Sequence, residues 1–128
     1  MSWFVIIAFA AAVIGFCLGV GGLISPKWRM GLTRLMPAKP EGAAEFRATF
    51  GGFFLGAHAA AMLGILFDRG VVGASFVLAA AWGASASGRL VALALEDGTR
   101  HKSNYIMLVI ELALAVALIL PAAEFFLT

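Results

Sequence analysis

The sequence predicts an all-α integral membrane protein, a four-transmembrane-helix bundle, and three observations carry that prediction. Hydrophobic residues make up 62% of the 128-residue chain and charged residues 12%, whereas a soluble domain carries about a quarter charged residues and could not hide this much apolar surface. Four apolar runs approach the roughly 20 residues that cross about 30 Å of hydrocarbon. Backbone in lipid must satisfy its own hydrogen bonds, so runs of this length resolve as helices and not as a barrel's short alternating strands.

The expected crossings are 3–24, 46–67, 71–95 and 105–126, in one domain covering 1–128. Trp3 to Ile24 has no ionisable residue, Thr49 to Phe67 has only His58, Val71 to Leu95 only Arg89, and Tyr105 to Leu120 only Glu111. The chain opens directly on a long apolar run, without the basic segment and short core of a cleaved signal, so the first helix is expected to stay. Cys17, the sole cysteine, leaves no intrachain disulfide or cysteine metal site and reads as packing.

Lysine and arginine set the expected orientation. Lys27, Arg29, Arg34, Lys39 and Arg47 fall at the first loop, Arg89, Arg100 and Lys102 at or near the third, and only Arg69 on the opposite side. The positive-inside rule then places loops one and three in the cytoplasm and both termini on the periplasmic side. The same rule accounts for the basic balance, so no nucleic-acid partner is expected.

Within the first loop, Trp28, Leu32, Leu35 and Met36 recur at i, i+4, i+7 and i+8, which predicts a short interfacial amphipathic helix. Trp28 would anchor it in the headgroup layer with its cations toward anionic lipid; docking of a partner is the alternative. Pro37 to Gly42 reads as loop.

Helices in lipid associate by close contact, which small residues at every fourth position permit. Such stripes occur at Ala11, Gly15 and Gly19; at Ala48, Gly52, Gly56, Ala60 and Gly64; and at Ala80, Ala84, Gly88 and Ala92. They predict a tight bundle, with the alternative that one stripe is left for a partner chain.

An intramembrane charge needs a partner, a route to water or a function. Arg89 and Glu111 stand at similar expected depth with opposite sign, and Asn104 lies one heptad before Glu111. The three are expected to meet, with Arg47 at the entrance and Glu45 as its other partner. This cluster either locks the helices in register or binds an anionic headgroup or small solute, with proton-coupled transport a third possibility. His58, near the middle of its helix, is expected to bond a neighbouring carbonyl; haem held by two histidines would need a symmetric oligomer, since His101 is in a loop. Phosphate-loop, zinc-protease and nucleophile-elbow motifs are absent from the sequence, and the Glu96-Asp97-Gly98 turn reads as solvated. Neither catalysis nor a cofactor or metal is expected.

The stretch Glu45-Phe46-Arg47-Ala48-Thr49-Phe50-Gly51-Gly52, with Gly88-Arg89-Leu90, Asp97-Gly98 and Glu111-Leu112, resembles the small bacterial four-helix membrane proteins grouped as domain of unknown function 4345. The resemblance covers most of the chain beyond residue 40 and implies a bacterial inner membrane with no assigned activity. Two functions are expected from different classes. One is an accessory or structural subunit packed against a larger membrane complex, such as an energy-transducing one; the other is a small lipid- or solute-binding or transport protein, as an oligomer, using the Arg/Glu cluster.

Overall fold

The structure, a computed structural model, describes residues 2–39, 42–67, 70–95 and 99–127, and within these the side chains of all but Gly42, Glu45, Gly88, Ala92 and Phe126. The readings made of Glu45, Gly88, Arg69 and the Glu96-Asp97-Gly98 turn therefore lie outside it. The described residues are almost wholly helical. α1 (Trp3–Ile24) is followed by α2 (Pro26–Thr33); α3 (Gly42–Arg47) continues through a π-helical segment (Ala48–Phe53) into α4 (Phe54–Leu66); α5 (Val71–Leu95) and α6 (Lys102–Leu127) complete the chain. Four spans are long and apolar enough to cross a membrane: Trp3–Ile24, Ala48–Leu66, Val71–Leu95 and Lys102–Phe125.

The first and third crossings have the expected bounds. The second begins four residues early, and the fourth begins at Lys102 where Tyr105 was expected. In both cases the added turn is polar or small, and a hydropathy pattern cannot see helix that continues past the apolar run.

The spans pack as a ring. α1 lies against α4 with its π-helical entry and against α6, α6 against α5, and α5 against α4. Ala11, Ala12, Ala61, Leu78, Ala79, Trp82, Leu114 and Leu118, drawn from all four spans, form the buried core. Small alanines on α1 and α4 let the larger side chains of α5 and α6 reach the centre, the size alternation that close packing requires.

The tightest contact is between α1 and the second span. A methyl group built on Gly19 would fall 2.4 Å from the Leu55 backbone nitrogen, and one on Gly15 would fall 2.0 Å from the His58 ring. Gly15 and Gly19 thus pack as predicted from their spacing. Gly52, Gly56 and Ala84 do not: a methyl on Gly56 meets nothing within 4 Å, one on Gly52 reaches only its own helix at 4.0 Å, and Ala84 is exposed. The face of the second span that meets α1 carries Gly51, Leu55 and His58, one or two residues off the predicted stripe. Gly64 is half-buried.

The interfacial helix forms at Pro26–Thr33, with Pro26 in the first turn where its missing N–H costs nothing. It ends at Arg34, which takes the left-handed conformation (φ 58°), so Leu35 and Met36 lie beyond the helix. Trp28 is half-exposed, and its ring covers Gly21 of α1. Arg29 departs from the expectation: it turns inward, 5% exposed, between α2 and the bundle.

Candidate functional site

Arg29 is the residue that sequence reasoning missed. Its guanidinium carbon stands 5.0 Å from the centroid of Phe54 and 5.8 Å from that of Phe50, cation–π distances on both rings. Its Nε is buried with no hydrogen-bond partner among the described residues. Burial lowers its pKa from the ordinary arginine value by removing water from the charged form, and it nevertheless remains a cation. The amphipathic pattern groups Trp28, Leu32, Leu35 and Met36 on one face and carries no information about which side of α2 the bundle covers.

The rings beneath it are set in a row by the π-helical segment. Phe46, Phe50, Phe54 and His58 are spaced by four, and consecutive rings stack at centroid distances of 4.6, 6.4 and 5.4 Å. In a regular α-helix each such step drifts by about 40°; the wider π-helical turn reduces the drift and keeps the aromatic edge facing α1 and α2. His58, 3% exposed, ends the row. Trp82 Nε1–H donates to His58 Nε2 at 3.3 Å, so Nδ1 carries the proton and donates to the Phe54 carbonyl at 2.7 Å. Both ring nitrogens are engaged, as expected of a histidine bonded to its own helix.

On the facing wall, Arg89, Asn104 and Glu111 come together. Arg89 donates from Nε and Nη2 to the two Glu111 oxygens at 2.9 and 2.7 Å, and from Nη1 to Asn104 Oδ1 at 3.0 Å. Ser85 adds a third donor to Glu111 at 2.9 Å, and the Asn104 amide is held by the Thr99 carbonyl at 2.6 Å. Glu111 is 2% exposed, so its charge is met almost entirely by these groups. This is the bidentate, fully satisfied arrangement in which a buried pair is tolerated. Among the described residues Arg47 makes no bond to this cluster; it is exposed at the end of α3.

Between these walls lies a cavity of about 430 Å³ at the end of the bundle that carries the first and third loops. Arg29, Arg34, Arg89 and Glu111 are its charged lining residues, with Phe50, Phe54 and Trp82 as its aromatic wall. Arg34 stands exposed at the rim, donating to His101 Nδ1 at 3.0 Å and so tying the first loop to the third. The donors and acceptors are unevenly committed. The Thr33 hydroxyl donates to carbonyls of its own helix, the Ser85 hydroxyl donates to Glu111, and Glu111 accepts three hydrogen bonds. Among the described residues the buried polar atom of this lining left without a partner is Arg29 Nε, a donor, which suits an anion and not a cation.

Among the described residues no three His, Cys, Asp or Glu side chains stand where they could hold a metal ion. No curated protein and no solved structure matches the chain. The family model described as domain of unknown function (DUF4345) matches residues 3–121, nearly the whole chain, and the protein belongs to that family.

Proposed function

We propose that this protein is a non-catalytic, multi-pass membrane protein that binds an anionic ligand in the cavity between α2 and the bundle. The observation that carries this reading is Arg29, a residue 5% exposed that lines a cavity and whose buried Nε has no hydrogen-bond acceptor among the described residues. Burying an ion without a partner costs several kcal/mol, on the order of a domain's whole stability. A ligand supplying the missing acceptor offsets that cost. The cavity faces the cytoplasm of an inner membrane in this reading, since the basic loops surround its mouth and both termini lie at the other end.

Arg29→Met tests it, because methionine keeps the packing on Phe50 and Phe54 and removes the charge. The variant is expected to be as stable as wild type or more so in detergent without anions, and to lose the stabilisation that wild type gains from an added anionic ligand. A variant that is simply less stable than wild type makes Arg29 a structural residue and refutes the reading.

A second reading, the accessory subunit, is supported by the outward stripe. Ala48, Gly56 and Ala60 are exposed, and a methyl on Gly52 or Gly56 meets no other helix among the described residues; small residues of this kind let another helix approach closely. Gentle extraction from native membranes followed by mass spectrometry separates the cases. Stoichiometric recovery with a larger complex favours the accessory role, and a lone monomer or homo-oligomer carrying an anionic molecule favours binding.

A further inference from the structure

We infer that the group held in the cavity is a dianionic phosphate, an identification that rests on the anion-binding reading above. The charges that line the cavity among the described residues are three arginines and one carboxylate. Arg89 and Glu111 cancel as a bidentate pair, which leaves Arg29 and Arg34 as two positive charges with no carboxylate partner among the described residues. One group carrying two negative charges neutralises both. A phosphate monoester does so near neutral pH, with a charge of about −1.5 to −2 and three further acceptor oxygens, and guanidinium forks match phosphate oxygens two at a time. A phosphodiester carries one charge and leaves one arginine uncompensated.

The rest of the lining says how the phosphate is carried. Phe50, Phe54, Trp82, Leu18 and Ile110 surround the charged groups, so an ester with an apolar or aromatic remainder buries it where a free ion leaves that wall empty. The carrier is thus a lipid of the phosphatidic acid kind or, failing that, the free ion, and both present the same group to Arg29. Arg34, exposed, and Arg29, buried, both line this one cavity, which gives a headgroup phosphate entering it a cation at the surface and a cation within.

The purified full-length protein in neutral detergent is to be offered phosphatidic acid, phosphatidylglycerol or phosphatidylcholine in mixed micelles, and separately inorganic phosphate or succinate. Lipid retained after washing is read by mass spectrometry, and the soluble anions by the shift in thermal midpoint. Phosphatidic acid is expected to be retained about 10-fold over phosphatidylglycerol, the factor a further charge-assisted hydrogen bond gives. Arg29→Gln is expected to remove that preference. Arg34→Gln, at an exposed position, is expected to reduce it and keeps the test decisive if the first variant does not fold. Preference for phosphatidic acid supports a lipid source; a midpoint raised by inorganic phosphate and not by succinate supports the free ion. Equal, Arg29-dependent retention of phosphatidic acid and phosphatidylglycerol, or equal protection by succinate and phosphate, overturns the phosphate assignment and leaves anion binding standing. Retention no better than phosphatidylcholine, with no midpoint shift from either anion, overturns both.

Discussion

A single methyl group placed on Gly22 is expected to prise the first crossing from the second and to cost about 3 kcal/mol, the upper part of the range for overpacked cores. The methyl of Gly22→Ala would fall 2.3 Å from the Phe50 carbonyl oxygen, 2.7 Å from its carbonyl carbon and 2.9 Å from the Gly51 nitrogen. All three are backbone atoms, so no rotamer change relieves the clash and the helices must move apart. The reverse approach is just as close, since a methyl on Gly51 would lie 2.8 Å from the Leu23 nitrogen. Gly15 differs in kind, because its methyl meets the His58 ring, which could swing away at the expense of its bonds to Phe54 and Trp82. Gly56→Ala is the control: it meets nothing within 4 Å and gains up to about 1 kcal/mol of helix propensity. Thermal unfolding in mild detergent, followed by circular dichroism, measures both. A wild-type midpoint for Gly22→Ala would show that the two backbones do not approach so closely.

That contrast marks what the sequence could and could not say. Hydropathy alone locates the crossings, because lipid imposes one length and one secondary structure on all of them. Membrane cost alone singles out Arg89 and Glu111, and depth pairs them, since each has one opposite charge at a reachable level; Asn104 follows from helical spacing. Spacing by four finds small stripes but not the face they pack on. Gly15 and Gly19 turn to the second span while Gly52 and Gly56, at the same spacing, turn away. The π-helical segment from Ala48 to Phe53 changes the residues per turn within that very span, so faces extrapolated from 3.6 residues per turn are wrong beyond it. Arg29 was illegible for another reason. Its inward turn depends on where α2 folds back against Phe50 and Phe54, a tertiary fact that an eight-residue amphipathic pattern does not contain. The one available signal was the pair of aromatic residues spaced by four at the start of the next helix, which form a platform for a cation.

Glu111→Ala is expected to cost about 3 kcal/mol, within the range for stripping one partner from a buried ion pair. It removes the acceptor of both Arg89 nitrogens and of Ser85, leaving a guanidinium that is 26% exposed against a carboxylate site that was 3% exposed. The exposure of Arg89 lets its head move toward water, which keeps the loss at the low end of that range. Glu111→Leu combined with Arg89→Met is expected to recover most of the stability, because apolar replacement of a whole buried pair is near neutral; equilibrium unfolding of both single variants and the double variant closes the cycle. The double variant also separates the two roles assigned to the cluster. If the pair only holds α5 and α6 in register, the restored bundle binds anions as wild type does. If Arg89 serves the cavity it lines, the bundle is restored and anion affinity falls about 10-fold, the worth of one charge-assisted hydrogen bond. A double variant as unstable as Glu111→Ala alone would show that the pair is not a self-contained unit, and that the polar end of the bundle depends on Arg89 through Asn104 and the Thr99 carbonyl instead.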